Sequence, residues 1–94
     1  MLARWIVGRE VLSFVWRSQT LIPLFQFDPQ RGCVRPGMRE TIAELSAAFD
    51  DLETALWFAQ PNAWLTGSAP ADVFAHDTPA VLEAARADRF VAMG

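Results

Sequence analysis

Lysine is missing from this chain: all eight of its basic residues are arginine. With abundant alanine beside it, that bias points to the coding DNA rather than to a function. Cysteine and histidine occur once each, as Cys33 and His76. A lone cysteine excludes an internal disulfide, which fits a reducing cytosol. One Cys and one His also exclude a metal cluster of the Cys/His type. Neither GxGxxG nor GxxxxGK[ST] is present, so no phosphate-cradling loop of those kinds is expected. No apolar run approaches the roughly 18 residues that span a bilayer. Arg4, Arg9 and Glu10 interrupt the apolar N-terminus, and no secretory leader is expected. The expectation is a cytoplasmic protein with no membrane association.

What is present is a short, apolar chain. Its 94 residues are enough for a single domain, 1–94, with a modest core. The apolar content of 52% is high for that size and suggests a buried interface. Charge is unevenly placed. Residues 1–39 set six arginines against two acids, and residues 40–94 set two arginines against nine acids. The acidic second half would attract a basic partner and repel nucleic acid. Solvated helix faces would give the same pattern.

The chain divides into an N-terminal segment (1–10), a β-rich part (11–27) and a helical part (38–93). Leu2, Trp5 and Ile6 suggest a helical turn that Gly8 stops. Val11–Arg17 alternates, with Leu12, Phe14 and Trp16 on one side, and reads as a strand. Thr20–Phe27 reads as a second strand with Leu21, Phe25 and Phe27 on one face, completing a hairpin. Asp28–Gly37, with two prolines and two glycines, reads as a loop. Met38, Ile42, Leu45 and Phe49 form one helical stripe. Asp50 or Asp51 caps the next helix, whose expected inner face is Leu52, Leu56 and Ala59. Pro61 ends it. Asn62–Thr66 is expected to form a single turn with Gly67 as a left-handed exit. Ser68 is expected to cap a short helix and Thr78 a final one from Pro79 to about Ala92. The predicted fold is therefore α+β: an antiparallel hairpin packed on about four short helices. Leu45, Ile42, Phe49, Leu56 and Trp57 are the predicted core.

Chemistry-bearing groups are few. His76 reads as a surface or capping residue near a helix end. Cys33 sits in a loop with no activating device, so a Cys33–His76 nucleophile pair is not expected. Asp50 and Asp51 read as caps, and Glu40 and Glu44 as one exposed face. Glu83 and Arg86 are spaced to pair along their helix. Trp57, Phe58, Trp64 and Phe74 are either partner hot spots or core, and at least half are expected to be buried. No catalytic set appears, so no enzymatic activity and no cofactor are expected.

One stretch carries more information. In Ala55–Phe74, Trp57 and Phe58 run into Pro61-Asn62, then Trp64-Leu65, Gly67 and Pro70. With LIPLFQFDPQRGCVRPGM upstream (21–38) and VLEAARADRF downstream (81–90), this resembles the C-terminal toxin-binding domain of Xre/MbcA/ParS-type antitoxins. The resemblance implies a RES-domain toxin that consumes NAD or transfers ADP-ribose, blocked by occlusion of its pocket. Trp64, Leu65, Arg86, Arg89, Phe90 and Met93 are the residues expected to meet that partner. The tail Phe90–Gly94 would insert into it. Members of the family carry an N-terminal helical DNA-binding region, with no counterpart between Leu2 and Gly8, so nucleic-acid binding is not expected of this chain. The alternative is a homo-oligomeric structural or regulatory domain without a toxin. In either case a homodimer or larger oligomer is expected, joined through the hairpin residues Phe14, Trp16, Phe25 and Phe27.

Overall fold

The chain opens with a short helix, folds two small hairpins, and closes with four helices. The computed structural model describes residues 2–94. The elements are α1 (Leu2–Val7), β1 (Phe14–Trp16), β2 (Gln19–Leu21), β3 (Phe27–Asp28), β4 (Cys33–Val34), α2 (Met38–Ser46), α3 (Asp51–Ala59), α4 (Pro70–Val73) and α5 (Thr78–Met93). Single 3-10 turns occupy Leu24–Gln26 and Ala63–Leu65. The fold is α+β, as the change of period near residue 38 predicts.

The first hairpin pairs Phe14 with Leu21 and Trp16 with Gln19. Its two-residue turn, Arg17-Ser18, has φ of 52° and 64°. Two successive left-handed residues match the right-handed twist of the strands. Each arm is only three residues long, much shorter than the alternation over 11–17 and 20–27 suggests. Val11 and Leu12 are buried beside the ladder rather than in it. After β2, Pro23 has no amide hydrogen to donate, and the chain winds into the 3-10 turn.

The segment 28–37, expected as a loop, contains all of a second hairpin but its first residue, Phe27. Phe27 pairs with Val34 and Asp28 with Cys33. Asp28 Oδ1 accepts from the amides of Gln30 at 2.9 Å and Arg31 at 3.3 Å, which closes the turn. Gly32 supplies its left-handed residue at φ 65°. A ladder of two pairs leaves too little alternation to read in sequence.

Helix α1 ends at Val7, before Gly8 as expected, but the left-handed residue that follows is Arg9, at φ 59°. Arg9 closes the helix in a Schellman motif, its amide donating to Ile6 O at 3.1 Å and the Glu10 amide to Trp5 O at 2.9 Å. Its guanidinium also donates to Asp51 Oδ1 at 3.0 Å and to Ser46 Oγ at 3.1 Å.

The core is one cluster running from Leu12 to Ala85. Met38, Ile42 and Leu45 on α2 meet Val81, Ala84 and Ala85 on α5. The small alanines let these two helices approach closely. Phe25, Phe58 and Phe74 form an aromatic trio, with centroids 4.7 to 6.3 Å apart and largely tilted or edge-on rings.

Helix α3 corrects the predicted face. Its buried positions are Thr54 and Phe58, while Leu56 is 48% exposed. Trp57 and Phe49 are half-buried against the core. The start of α3 is fixed by a capping box: Asp50 Oδ1 accepts from the Glu53 amide at 2.8 Å, and the Asp50 amide donates back to Glu53 at 2.9 Å. That start, with Phe58 drawn to Phe25 and Phe74, sets the phase and turns Leu52, Leu56 and Ala59 toward the first hairpin.

Two caps also differ from expectation. Ala69, not Ser68, precedes α4 and makes no side-chain cap. Asp77 caps α5 through the Ala80 amide at 3.2 Å. Thr78 is instead the first helical residue, and its hydroxyl donates to Phe74 O at 2.9 Å.

Candidate partner-binding surfaces

Helix α5 contributes to two of the three surfaces. At about 1.5 Å per residue, its sixteen residues extend about 24 Å. Val81, Ala84 and Ala85 bury its first half. Its last turn leaves Phe90, Val91 and Met93 exposed, Phe90 at 78%. At 100° per residue, Arg86, Arg89, Phe90 and Met93 fall within about 100° of arc. The predicted contact residues of this helix thus share one side.

The two arginines on that side are already engaged. Arg86 reaches Glu83 Oε1 at 3.0 Å and Glu44 Oε1 at 3.5 Å. Arg89 Nε lies 3.2 Å from Glu44 Oε2. That last contact is close but misaligned for a hydrogen bond, so it is an ion pair without directional bonding. Glu44 is therefore the hub of an α2–α5 charge cluster and not part of a freely solvated face. Glu83 and Arg86 form the intrahelical pair that their spacing predicts.

The turn after α3 carries the second predicted surface. Asn62 caps it by accepting from the Trp64 amide at 2.9 Å. Thr66 and Gly67 both take left-handed conformations, at φ 59° and 86°. Trp64 is 60% exposed, whereas Leu65 is buried in the core. Leu65 positions the turn; it is not a surface contact. Of the four aromatics weighed as hot spots, Phe58 and Phe74 are core, Trp57 is half-buried and Trp64 is exposed.

A feature that sequence reading missed joins this turn to α5. The carboxylate of Asp88 accepts from Trp57 Nε1 at 2.7 Å, Asn62 Nδ2 at 2.9 Å and Trp64 Nε1 at 2.9 Å. No spacing rule links positions 24 to 31 residues apart. A pocket of about 260 Å³ lies between these groups, lined also by Gln60 and Pro61.

The third surface is an apolar groove of about 450 Å³ between the first hairpin and α3. Phe14, Trp16, Leu21 and Phe25 face Leu52, Leu56 and Ala59 across it. Three of the four residues expected at an oligomer interface meet here. Phe27 does not; it packs against Trp5, with ring centroids 5.9 Å apart. Arg17 stands over the Trp16 ring at 5.8 Å.

Among the described residues, no group of three His, Cys, Asp or Glu side chains is placed to hold a metal ion. No helix among them is long and apolar enough to cross a membrane. No family model matches this chain, and no curated protein or solved structure matches it either.

Proposed function

We propose that this chain is a non-enzymatic, antitoxin-like cytoplasmic protein that binds and occludes a RES-type, NAD-consuming toxin. The observation that carries this reading is the end of α5, where Phe90, Val91 and Met93 stand exposed on one turn. An exposed apolar helix end suits insertion into a partner's cleft. The resemblance over residues 55–90 supplies the toxin class. The acidic balance of residues 40–94 suits a cationic pocket built for a pyrophosphate.

The test is neutralisation. The full chain should suppress NAD consumption by a co-encoded RES-type toxin. A variant lacking Phe90–Gly94 should stay folded by circular dichroism, since the core ends at Ala85, yet restore NAD consumption. Full inhibition by that variant would remove the tail from the mechanism. No binding by the intact chain would reject the toxin reading.

A second reading, homo-oligomeric assembly without a toxin, is favoured by the groove under the first hairpin. Its walls are almost wholly apolar, and a second copy could cover them. Light scattering at micromolar concentration distinguishes the cases: a dimer that Phe14→Asp disperses supports assembly through the groove, and a monomer rejects it.

A further inference from the structure

The pocket at Asp88 combines three features that recognise a cation. All three of its hydrogen-bond partners, the indoles of Trp57 and Trp64 and the amide of Asn62, are neutral donors. Neutral donors orient a carboxylate but do not cancel its charge. Among the described residues, no arginine or histidine lies within 4.0 Å of the Asp88 carboxylate. A carboxylate offers about four acceptor positions, and three are filled here, so one direction stays open. The second feature is Trp64. A 60% exposed tryptophan would ordinarily be free to turn, but its N–H is fastened to Asp88 Oδ1. Its ring is therefore pinned beside the negative charge. The third feature is space: about 260 Å³, with Trp57 and Trp64 both in the lining.

Tryptophan is the strongest aromatic partner for a cation. A guanidinium fits better than an ammonium. It is planar, stacks on aromatic rings, sheds water more readily, and can donate to a carboxylate while it stacks. We propose that this pocket binds an arginine side chain presented by a partner protein, with Asp88 as counter-charge and Trp64 as stacking surface.

This inference does not rest on the toxin reading. Asp88 and Phe90 are two residues apart, so they point about 200° apart around α5. The pocket and the helix end are different faces of the molecule.

The experiment uses the full chain, labelled with nitrogen-15, titrated with a blocked Gly-Arg-Gly peptide. The indole N–H signals of Trp57 and Trp64 report on the pocket. Matched peptides carry citrulline, which is neutral and nearly isosteric, or lysine. The expected result is a saturable, millimolar shift of both indole signals by the arginine peptide. The citrulline peptide should bind about tenfold more weakly or not at all. Trp64→Leu alters an exposed side chain, so the fold should persist, and the arginine affinity should fall about tenfold. Asp88→Asn, where it folds, should abolish the difference between arginine and citrulline. Equal binding of citrulline, equal binding of lysine, unchanged affinity in Trp64→Leu, or no shift up to the solubility limit would each overturn the proposal. No toxin is used, so failure here and failure of neutralisation are separate outcomes.

Discussion

The side chain of Gln26 stands in for a strand partner of Leu12. Its Oε1 accepts the Leu12 amide, and its Nε2 donates to Leu12 O at 3.0 Å. The same Nε2 donates to Pro23 O at 2.8 Å. Both residues are fully buried. A buried backbone must be hydrogen-bonded, and here one amide side chain does what a neighbouring strand would do. The ladder therefore starts only at Phe14, and the alternation over Val11–Arg17 overstates the strand.

Gln26→Ala should leave the Leu12 N–H and C=O buried without partners. The expected loss is about 3 kcal/mol, read as a fall in melting temperature of roughly 10–25 °C for a domain of this size. Chemical denaturation with an unchanged m-value would confirm it. A loss under about 0.5 kcal/mol would mean that water reaches Leu12.

Ile42 and Leu56 should behave oppositely although both are apolar helix residues. Ile42 lies in the core, so Ile42→Ala should cost roughly 2–5 kcal/mol. Leu56→Ala, at the groove, should cost less than about 1 kcal/mol in the monomer. A large effect of Leu56→Ala that grows with protein concentration would instead show the groove to be covered by a second copy.

Gly37 and Gly67 both have positive φ, at 90° and 86°, yet only Gly37 is crowded. A Cβ there would strike Thr78 Cγ2, and the Thr78 hydroxyl is bonded to Phe74 O. A Cβ on Gly67 meets nothing within 4 Å. Gly67→Ala should cost about 1 kcal/mol of backbone strain, and Gly37→Ala clearly more. Thermal unfolding of the two variants side by side is the check; equal losses would contradict the Gly37–Thr78 contact.

Asp50→Ala should lose about 1 kcal/mol with the capping box. Ser68→Ala should be nearly silent, because Ser68 caps nothing. Comparable effects would reverse the assignment of caps around α3 and α4.

Local chemistry determined much of this protein from sequence alone. A cap at Asp50 or Asp51, Pro61 as a helix stop, the turn capped by Asn62 with Gly67 at its exit, and the stripe Met38, Ile42 and Leu45 follow from groups within a few residues of one another. So does the sharing of one side of α5 by Arg86, Arg89, Phe90 and Met93. Tertiary structure decided what depends on distant partners. Leu56 and Phe58 point about 200° apart around α3, and only the aromatic partners Phe25 and Phe74 decide that the side of Phe58 is the buried one. Leu65 and Trp64 are adjacent in one turn, yet the core takes the leucine and Asp88 holds the tryptophan. Gln26 reads as an ordinary polar residue until Leu12 is beside it. Asp88 reads as one more acid on a solvated helix until α5 brings it under two indoles. Periodicity reports which side of an element is apolar, but a buried polar group is defined by its partner, and that partner is set by the fold.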